Sequence, residues 1–124
     1  MSMKISISGT VVKGKQIGRT IGIPTANIAV ENDSEIPAIG VYAAFVELDN
    51  QMYNAVVSVS DKPKNCTKVE AHILDFSGDI YGKNMCVYFE KFLHGKQVYM
   101  SLGELRHSIQ NDIEQARILK QIEN

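Results

Sequence analysis

A glycine-rich stretch near the N-terminus has the composition of a phosphate-binding loop. Residues 18–27 read GRTIGIPTAN, and glycines recur every four residues from Gly14 to Gly22. Because glycine has no Cβ, backbone amides in such a loop can approach an anion closely, and Lys15 and Arg19 can add charge-assisted contacts to phosphate oxygens. The stretch has neither the Walker pattern nor the dinucleotide-binding fingerprint, since no Gly-Lys-Ser/Thr sequence and no helix pattern follow it. A loop with a purely structural role would have the same composition, so this signal alone is weak.

Two neutral oxygen donors follow the loop. Pro24 fixes the backbone, and if the next residues are extended, the hydroxyl of Thr25 and the amide oxygen of Asn27 lie on the same side of the chain. Mg²⁺ accepts such neutral oxygens as ligands when a nucleotide supplies the negatively charged ones. Threonine and asparagine also stabilise turns, so this pair alone does not decide between a metal site and a turn.

One carboxylate lies on a predicted strand where it could act as a general base. In segment 69–76, Glu70 and His72 share one face of a predicted strand. A carboxylate there could accept the proton of an attacking alcohol, as the catalytic aspartate does in other kinases. His72 could be the base instead, or the two side chains could form a solvated pair. His94 and His107 have no evident partner in the sequence, and a structural role is the better interpretation of both.

The composition is that of one folded domain. The 124 residues are 44% apolar and 22% charged, a balance that excludes a disordered chain and predicts a single domain over residues 1–124. No apolar run is long enough to span a membrane, and the N-terminus lacks the pattern of a signal peptide, so we expect a cytoplasmic protein without a membrane partner. Cys66 and Cys86 fit neither a disulfide framework nor a zinc site.

The charge balance argues against a nucleic-acid-binding surface. The 13 basic and 14 acidic residues give a net charge of -1, whereas proteins that bind nucleic acid electrostatically are usually strongly basic. Residues 1–30 are the exception, because they contain four cations and no acidic residue. An anion could be bound near the N-terminus, and chance clustering on a solvated face is equally compatible with the sequence.

Hydrophobic periodicity predicts a strand-rich body followed by one helix. After Tyr99 the apolar period becomes about 3.6 residues, and Ser101 with Glu104 forms a capping-box pattern at the start of an amphipathic helix. Short turns such as Asp49-Asn50-Gln51 indicate mostly antiparallel pairing, and this combination favours a small closed or nearly closed barrel covered by the helix. Segments rich in β-branched or aromatic residues predict the strands, at residues 5–13, 41–48, 52–60, 69–76 and 85–93.

Taken together, these segments resemble the riboflavin kinase family, whose flavokinase module makes flavin mononucleotide (FMN) from riboflavin and ATP. The resemblance covers nearly the whole chain, and several matching segments in the same order are more specific than any one of them alone. The matching segments are residues 9–14, the run 18–27 with its Pro-Thr-Ala-Asn core, 40–42, 69–73, 79–82, and 101–102 followed by Asp112 in the last helix.

The resemblance implies a fold and a reaction. The fold would be mainly β, a six-stranded antiparallel Greek-key barrel with one C-terminal amphipathic α-helix. The chain would be an enzyme that transfers the γ-phosphoryl group of ATP to the ribityl 5′-hydroxyl of riboflavin, giving FMN and ADP with Mg²⁺ as cofactor. It would act as a monomer that binds riboflavin and ATP and has no nucleic-acid or membrane partner.

The same resemblance implies roles for individual residues. Glu70 would be the base that activates the ribityl hydroxyl, and Thr25 and Asn27 would hold Mg²⁺. The terminal helix and the loop before it would wall the isoalloxazine site, through Tyr99, Leu102, Leu105 and Ile109. The residues that would bind ATP are Gly14, Lys15, Gly18, Arg19, Thr25 and Tyr81.

The sequence departs from the family pattern at two positions. A glycine usual ahead of the family's proline motif is Ser60 here, and the arginine that the family favours after Leu93 is His94. These departures motivate an alternative function, a non-catalytic flavin-binding sensor or regulatory module. The chain also lacks the adenylyltransferase domain that accompanies this module in many bacterial enzymes, so we do not expect it to make flavin adenine dinucleotide.

Overall fold

Six β-strands and one α-helix make up the regular structure of the computed structural model, which describes residues 5–12, 25–31, 35–62, 66–76 and 78–119. The helix, α1, spans Leu102–Arg117 and follows the last strand. No helix in the described residues is both long and apolar enough to cross a lipid bilayer. The strands are β1 (Ile5–Val12), β2 (Ala26–Val30), β3 (Gly40–Leu48), β4 (Gln51–Lys62), β5 (Cys66–Ile73) and β6 (Asn84–His94).

The strands close into a barrel in the order β1-β2-β5-β4-β3-β6, and every neighbouring pair is antiparallel. Strands β3, β4 and β5 are consecutive neighbours, and β2 lies beside β5, which is the Greek-key arrangement. Each of the six described strands therefore pairs with a neighbour on both sides. The antiparallel barrel with one C-terminal helix that the sequence predicts is therefore confirmed.

The barrel has an apolar interior and a second apolar layer under the helix. All six strands contribute side chains to the interior, where the rings of Tyr42 and Phe89 meet edge to face with their centroids 5.0 Å apart. Strand β3 is buried on both faces, because Ala43 on its outer face packs with Val56 and Ala116 under α1. This outer cluster holds α1 against β3 and β4.

Hydrogen bonds from side chains satisfy backbone groups at both ends of α1. The Ser101 hydroxyl accepts a hydrogen bond from the Glu104 amide at 3.1 Å, so the predicted N-cap is confirmed. At the other end, Asn54 of β4 donates from Nδ2 to the carbonyl oxygens of Ala116 at 2.8 Å and Leu119 at 3.0 Å. The position of α1 on the barrel is thus fixed by hydrogen bonds as well as by packing.

The hairpin between β3 and β4 forms as the sequence predicts. Asp49 and Asn50 have φ angles of 52° and 64°, the left-handed conformation that a two-residue type I′ turn requires. The backbones of β1 and β2 approach closely at Gly9, where a Cβ would collide with the carbonyl oxygen of Ala29 on β2.

Strands β2 and β5 differ most from the sequence prediction. Strand β2 begins at Ala26, within the run 18–27 for which no strand was predicted, and pairs with β1 on one edge and β5 on the other. Strand β5 spans Cys66–Ile73 instead of residues 69–76. It ends at Ile73 because the chain turns at Leu74 and Asp75, where Asp75 has a φ of 57°. The predicted loop over residues 14–24 lies outside the described residues.

Candidate active site

A row of polar side chains crosses the outer face of the barrel where β2, β5 and β4 lie side by side. The strand register places Asn27 opposite Glu70, and Glu70 opposite Ser58. Val69 and Ala71 belong to the barrel interior, so the two-residue period of β5 directs Glu70 to the outer face. Two consecutive strands, β4 and β5, and the distant strand β2 therefore supply one polar row.

Glu70 has a partner at each of its carboxylate oxygens. The hydroxyl of Thr25 donates a hydrogen bond to Oε2 at 3.2 Å, and Nζ of Lys68 lies 3.0 Å from Oε1. Because the Thr25 hydroxyl donates its proton to Glu70, the lone pairs of its oxygen remain available to a cation. The structure thus brings into direct contact a candidate metal ligand and a candidate base that the sequence analysis identified separately.

Asn27 presents a buried acceptor to this row. The residue is only 6% exposed, and its Oδ1 has no hydrogen-bond partner among the residues that the structure describes. A buried polar atom left unpaired costs roughly 1 to 3 kcal/mol, which a bound ligand would offset. An amide oxygen and a hydroxyl oxygen next to the same carboxylate are donors that suit Mg²⁺, so Asn27 and Thr25 fit the predicted metal site.

A cavity of about 440 Å³ lies between the outer face of the barrel and α1. Thr25, Glu70 and His72 line its barrel side, and Leu105 and Ile109 line its helix side. The volume is within the range of small-molecule binding sites. Polar side chains such as Glu70 and apolar side chains such as Leu105 both line the cavity, so it suits a ligand with one polar and one apolar part.

Only some of the residues predicted to bind flavin or ATP are found among the described residues that line the cavity. Tyr99, like Leu105 and Ile109, lines the cavity, whereas Leu102 is 64% exposed at the start of α1 and is not among the described residues that line it. Tyr81 lies in the turn before β6 and packs against the barrel core. The predicted ATP contacts that fall outside the described residues are Gly14, Lys15, Gly18 and Arg19.

His94 lines the cavity and binds two neighbouring segments. Its Nε2 lies 2.9 Å and 3.0 Å from the two carboxylate oxygens of Asp112 in α1, and its Nδ1 lies 2.8 Å from the carbonyl oxygen of Gly95. Carbonyl and carboxylate oxygens only accept hydrogen bonds. Both ring nitrogens of His94 can donate to these oxygens at the same time when the imidazole is protonated.

The surroundings of His94 favour this charged form. Burial by itself lowers the pKa of His94, because it disfavours the charged ring. The hydrogen bonds to the Gly95 carbonyl and to Asp112, together with the negative charge of Asp112, outweigh burial and raise the pKa of His94 above its ordinary value of 6.5. The charged form of His94 is therefore favoured by its surroundings and is lost as the pH rises through the raised pKa.

The sequence analysis missed two contacts of the site, the ion pair between Lys68 and Glu70 and the contact between His94 and Asp112. Lys68 lies two residues before Glu70, and this spacing on a strand could have identified it as a neighbour. His94 and Asp112 are separated by 18 residues and belong to different elements, so no local pattern links them.

Comparison with known proteins assigns the chain to a family. A family model described as flavokinase, riboflavin kinase, matches residues 1–120. The chain belongs to the riboflavin kinase family. One relative is the bifunctional riboflavin kinase/FMN adenylyltransferase of Pseudomonas fluorescens, which is 33% identical over 117 residues. The matched region covers 91% of this chain and 37% of that protein, so the chain spans little more than a third of the length of this riboflavin kinase relative.

Two solved structures share the fold. The crystal structure of a Streptococcus pneumoniae protein, named as a macrolide-efflux protein, has a TM-score of 0.86 and 34% identity, covering 93% of this chain and 39% of that one. Riboflavin kinase from Trypanosoma brucei has a TM-score of 0.65 and 22% identity, covering 90% of this chain and 76% of that one. The second likeness concerns the fold alone, and it confirms the riboflavin kinase fold that the resemblance implied.

Proposed function

We propose that the chain is a riboflavin kinase, which transfers the γ-phosphoryl group of ATP to the ribityl 5′-hydroxyl of riboflavin and gives FMN and ADP. The observation that carries this proposal is the position of Glu70, which lines the cavity and accepts a hydrogen bond from Thr25. A proton acceptor in contact with a neutral metal ligand combines two requirements of phosphoryl transfer to an alcohol. Membership of the riboflavin kinase family supports the choice of substrates.

Glu70 is the general base in this proposal. The ribityl oxygen attacks the γ-phosphorus and forms a P–O bond, while the bond from that phosphorus to the β–γ bridging oxygen breaks and its electron pair leaves with ADP. The hydroxyl proton passes to Glu70. A general base contributes roughly 10²- to 10⁴-fold to such a step, and positioning and electrostatics supply the remaining acceleration.

Thr25 and Asn27 are the residues we assign to Mg²⁺. Asn27 offers its unpaired, buried Oδ1, and Thr25 offers an oxygen whose proton is already donated to Glu70. When bound, Mg²⁺ would neutralise negative charge on the transferred phosphoryl group. Through its hydrogen bond, Thr25 connects the proposed metal site to the proposed base.

The helix side of the cavity is the proposed flavin site. Leu105 and Ile109 supply apolar surface, and Tyr99 supplies an aromatic ring. The Tyr99 hydroxyl is held in place by Gln97 at 2.7 Å and by Ser108 at 3.0 Å. A planar isoalloxazine ring packs favourably on such surfaces, which leaves the polar ribityl chain for the side of the cavity that contains Glu70.

The proposal also covers the nucleotide site, the domain organisation, the oligomeric state and the location of the protein. We assign the ATP phosphates to the glycine-rich loop and expect Tyr81 to contribute to the nucleotide site. Residues 1–124 would act as one domain, as a cytoplasmic monomer without a nucleic-acid or membrane partner. The net charge of -1 supports the absence of a nucleic-acid partner.

A product assay tests the proposed function. The folded protein is incubated with riboflavin, ATP and Mg²⁺, and FMN is separated from riboflavin by chromatography. We expect FMN to form with wild-type protein and to decrease strongly with Glu70→Gln. Glu47→Gln is the matched control, because Glu47 accepts a hydrogen bond from Tyr88 and does not line the cavity. Tight riboflavin binding without any FMN from the wild-type protein would contradict the proposal and favour a flavin-binding module.

A further inference from the structure

Lys68 forms an ion pair with Glu70 that is largely shielded from solvent. Its Nζ lies 3.0 Å from Oε1 of Glu70, and the two side chains are only 16% and 22% exposed. Lysine side chains are mostly exposed in folded proteins, because hydration and side-chain entropy favour the free ammonium group. The low exposure of Lys68 therefore distinguishes this contact from an ordinary surface ion pair.

Lys68 contacts Glu70 from outside the cavity. Glu70 lines the cavity, whereas Lys68 is not among the described residues that do so. The register places Ser60 of β4 opposite Lys68 and Ser58 opposite Glu70, and on the other side Asn27 of β2 lies opposite Glu70. The cross-strand neighbours of Glu70 and Lys68 are thus neutral, and Lys68 is the cation found in contact with Glu70 in the described part of the chain.

The partners of Glu70 hold its carboxylate from two directions. Lys68 engages Oε1 from β5, and Thr25 engages Oε2 from the residue before β2. Each carboxylate oxygen keeps a second lone pair, so the group can accept a substrate proton without losing either contact. The arrangement restricts rotation of the carboxylate while leaving it able to act as a base.

We propose that Lys68 is a positioning residue that orients Glu70 and balances its negative charge, without itself contacting ATP or riboflavin. This inference rests on the proposed function, in which Glu70 is the general base. Without Lys68, the carboxylate loses the partner of Oε1 and the cation that balances its charge, so its orientation toward the substrate hydroxyl is no longer fixed. The expected effect is on turnover, because misplacing a base by a small distance slows the chemical step.

Steady-state kinetics of Lys68→Met, alone and combined with Glu70→Gln, test this role. We expect Lys68→Met to lower kcat roughly tenfold while changing KM for ATP and riboflavin less than about twofold, as for other residues that act through a catalytic group. In the Glu70→Gln background, the same change should alter kcat less than about twofold, because Lys68 acts through the Glu70 carboxylate. Lys68→Arg keeps the cation and should restore most of the turnover.

Lys83→Met is the matched control. Lys83 also forms an ion pair, with Asp49 at 2.6 Å, but both side chains are exposed and neither lines the cavity. We expect this variant to keep wild-type kinetics. Melting temperatures and riboflavin affinity by fluorescence quenching show whether each variant is folded, and Lys68→Gln replaces Lys68→Met where the methionine variant does not fold.

The outcomes separate this inference from the proposed function. An increase in KM for ATP with unchanged kcat would make Lys68 a phosphate ligand and overturn the inference. An equal loss of kcat in the wild-type and Glu70→Gln backgrounds would also overturn it, because Lys68 would then not act through Glu70. If Lys68→Met keeps wild-type turnover while Glu70→Gln is strongly impaired, the role of Lys68 is refuted and the base assignment stands. Wild-type turnover in Glu70→Gln would refute the base assignment and this inference together.

Discussion

His94 joins the end of β6 to the middle of α1 through a two-oxygen contact with Asp112. The distances from Nε2 to the two carboxylate oxygens are 2.9 Å and 3.0 Å, and both residues line the cavity. The other ring nitrogen donates to the carbonyl oxygen of Gly95. Protonation of His94 therefore strengthens the contact between the barrel and the helix wall of the proposed flavin site.

The stability of the protein should depend on pH through His94. Its pKa is raised in the folded state by the hydrogen bonds to Gly95 and Asp112 and by the Asp112 charge, which outweigh the opposing effect of burial. This contribution is fully present below the unfolded-state pKa of about 6.5 and is lost as the pH rises through the folded-state pKa. In urea unfolding, His94→Gln should cost about 1 kcal/mol near pH 6 and clearly less near pH 9.

Two variants serve as controls for the role of His94. His94→Arg keeps a cation opposite Asp112 that does not titrate in this range. The difference in unfolding free energy between His94→Arg and His94→Gln should therefore be independent of pH. His107 is exposed on α1, and His107→Gln should follow the wild-type curve at every pH. A cost of His94→Gln that stays constant from about pH 6 to pH 9 would show that protonation of His94 does not stabilise the fold.

Turnover should distinguish Glu70 from His72, which share the outer face of β5. We expect Glu70→Gln to lower kcat at least roughly a hundredfold while riboflavin binding is largely kept, since glutamine retains the shape of the side chain but cannot accept the proton. His72→Asn should cost much less. Single-turnover FMN formation and riboflavin titration by fluorescence measure the two effects separately. The base assignment is wrong if His72→Asn abolishes turnover and Glu70→Gln leaves it near normal.

Substitution of Thr25 should change the requirement for Mg²⁺. Thr25→Val removes the proposed metal ligand and the hydrogen bond to Glu70, while the size of the side chain is kept. We expect the Mg²⁺ concentration for half-maximal activity to rise roughly tenfold, the size of effect seen when a metal site loses a contact. Thr25→Ser keeps the hydroxyl and is the matched control. An unchanged Mg²⁺ dependence in Thr25→Val would exclude Thr25 as a ligand.

Removal of the Asn54 side chain should weaken the attachment of α1. Asn54→Ala withdraws the donor that serves the carbonyl oxygens of Ala116 and Leu119, and we expect a loss of about 1 to 2 kcal/mol in the free energy of unfolding. Riboflavin affinity should fall as well, because α1 forms one wall of the cavity. Asn84→Ala is the control, since Asn84 is exposed and its side chain accepts a long hydrogen bond from Thr10 at 3.3 Å. Equal stability of the two variants would contradict the prediction.

Local patterns were sufficient to predict most of the fold. The hairpin at Asp49 and Asn50 and the N-cap at Ser101 depend on residues close in sequence, so their signals can be read without the rest of the chain. Strand β2 was not predicted, because its first three residues, Ala26, Asn27 and Ile28, are all buried and do not show the alternation of a strand with one exposed face. Its extended conformation is stabilised by pairing with β1 and β5.

For the candidate site too, some features could be read from the sequence and others were set by the tertiary structure. The sequence by itself determined which residue types are available, and Thr25, Asn27 and Glu70 were identified from chemistry, spacing and family resemblance. Only the tertiary structure decided that Thr25 donates to Glu70, that Lys68 pairs with the same carboxylate, and that His94 meets Asp112. The physical reason is that hydrogen bonds and ion pairs act over a few ångströms in space, and strand register and helix docking set those distances between residues far apart in the chain.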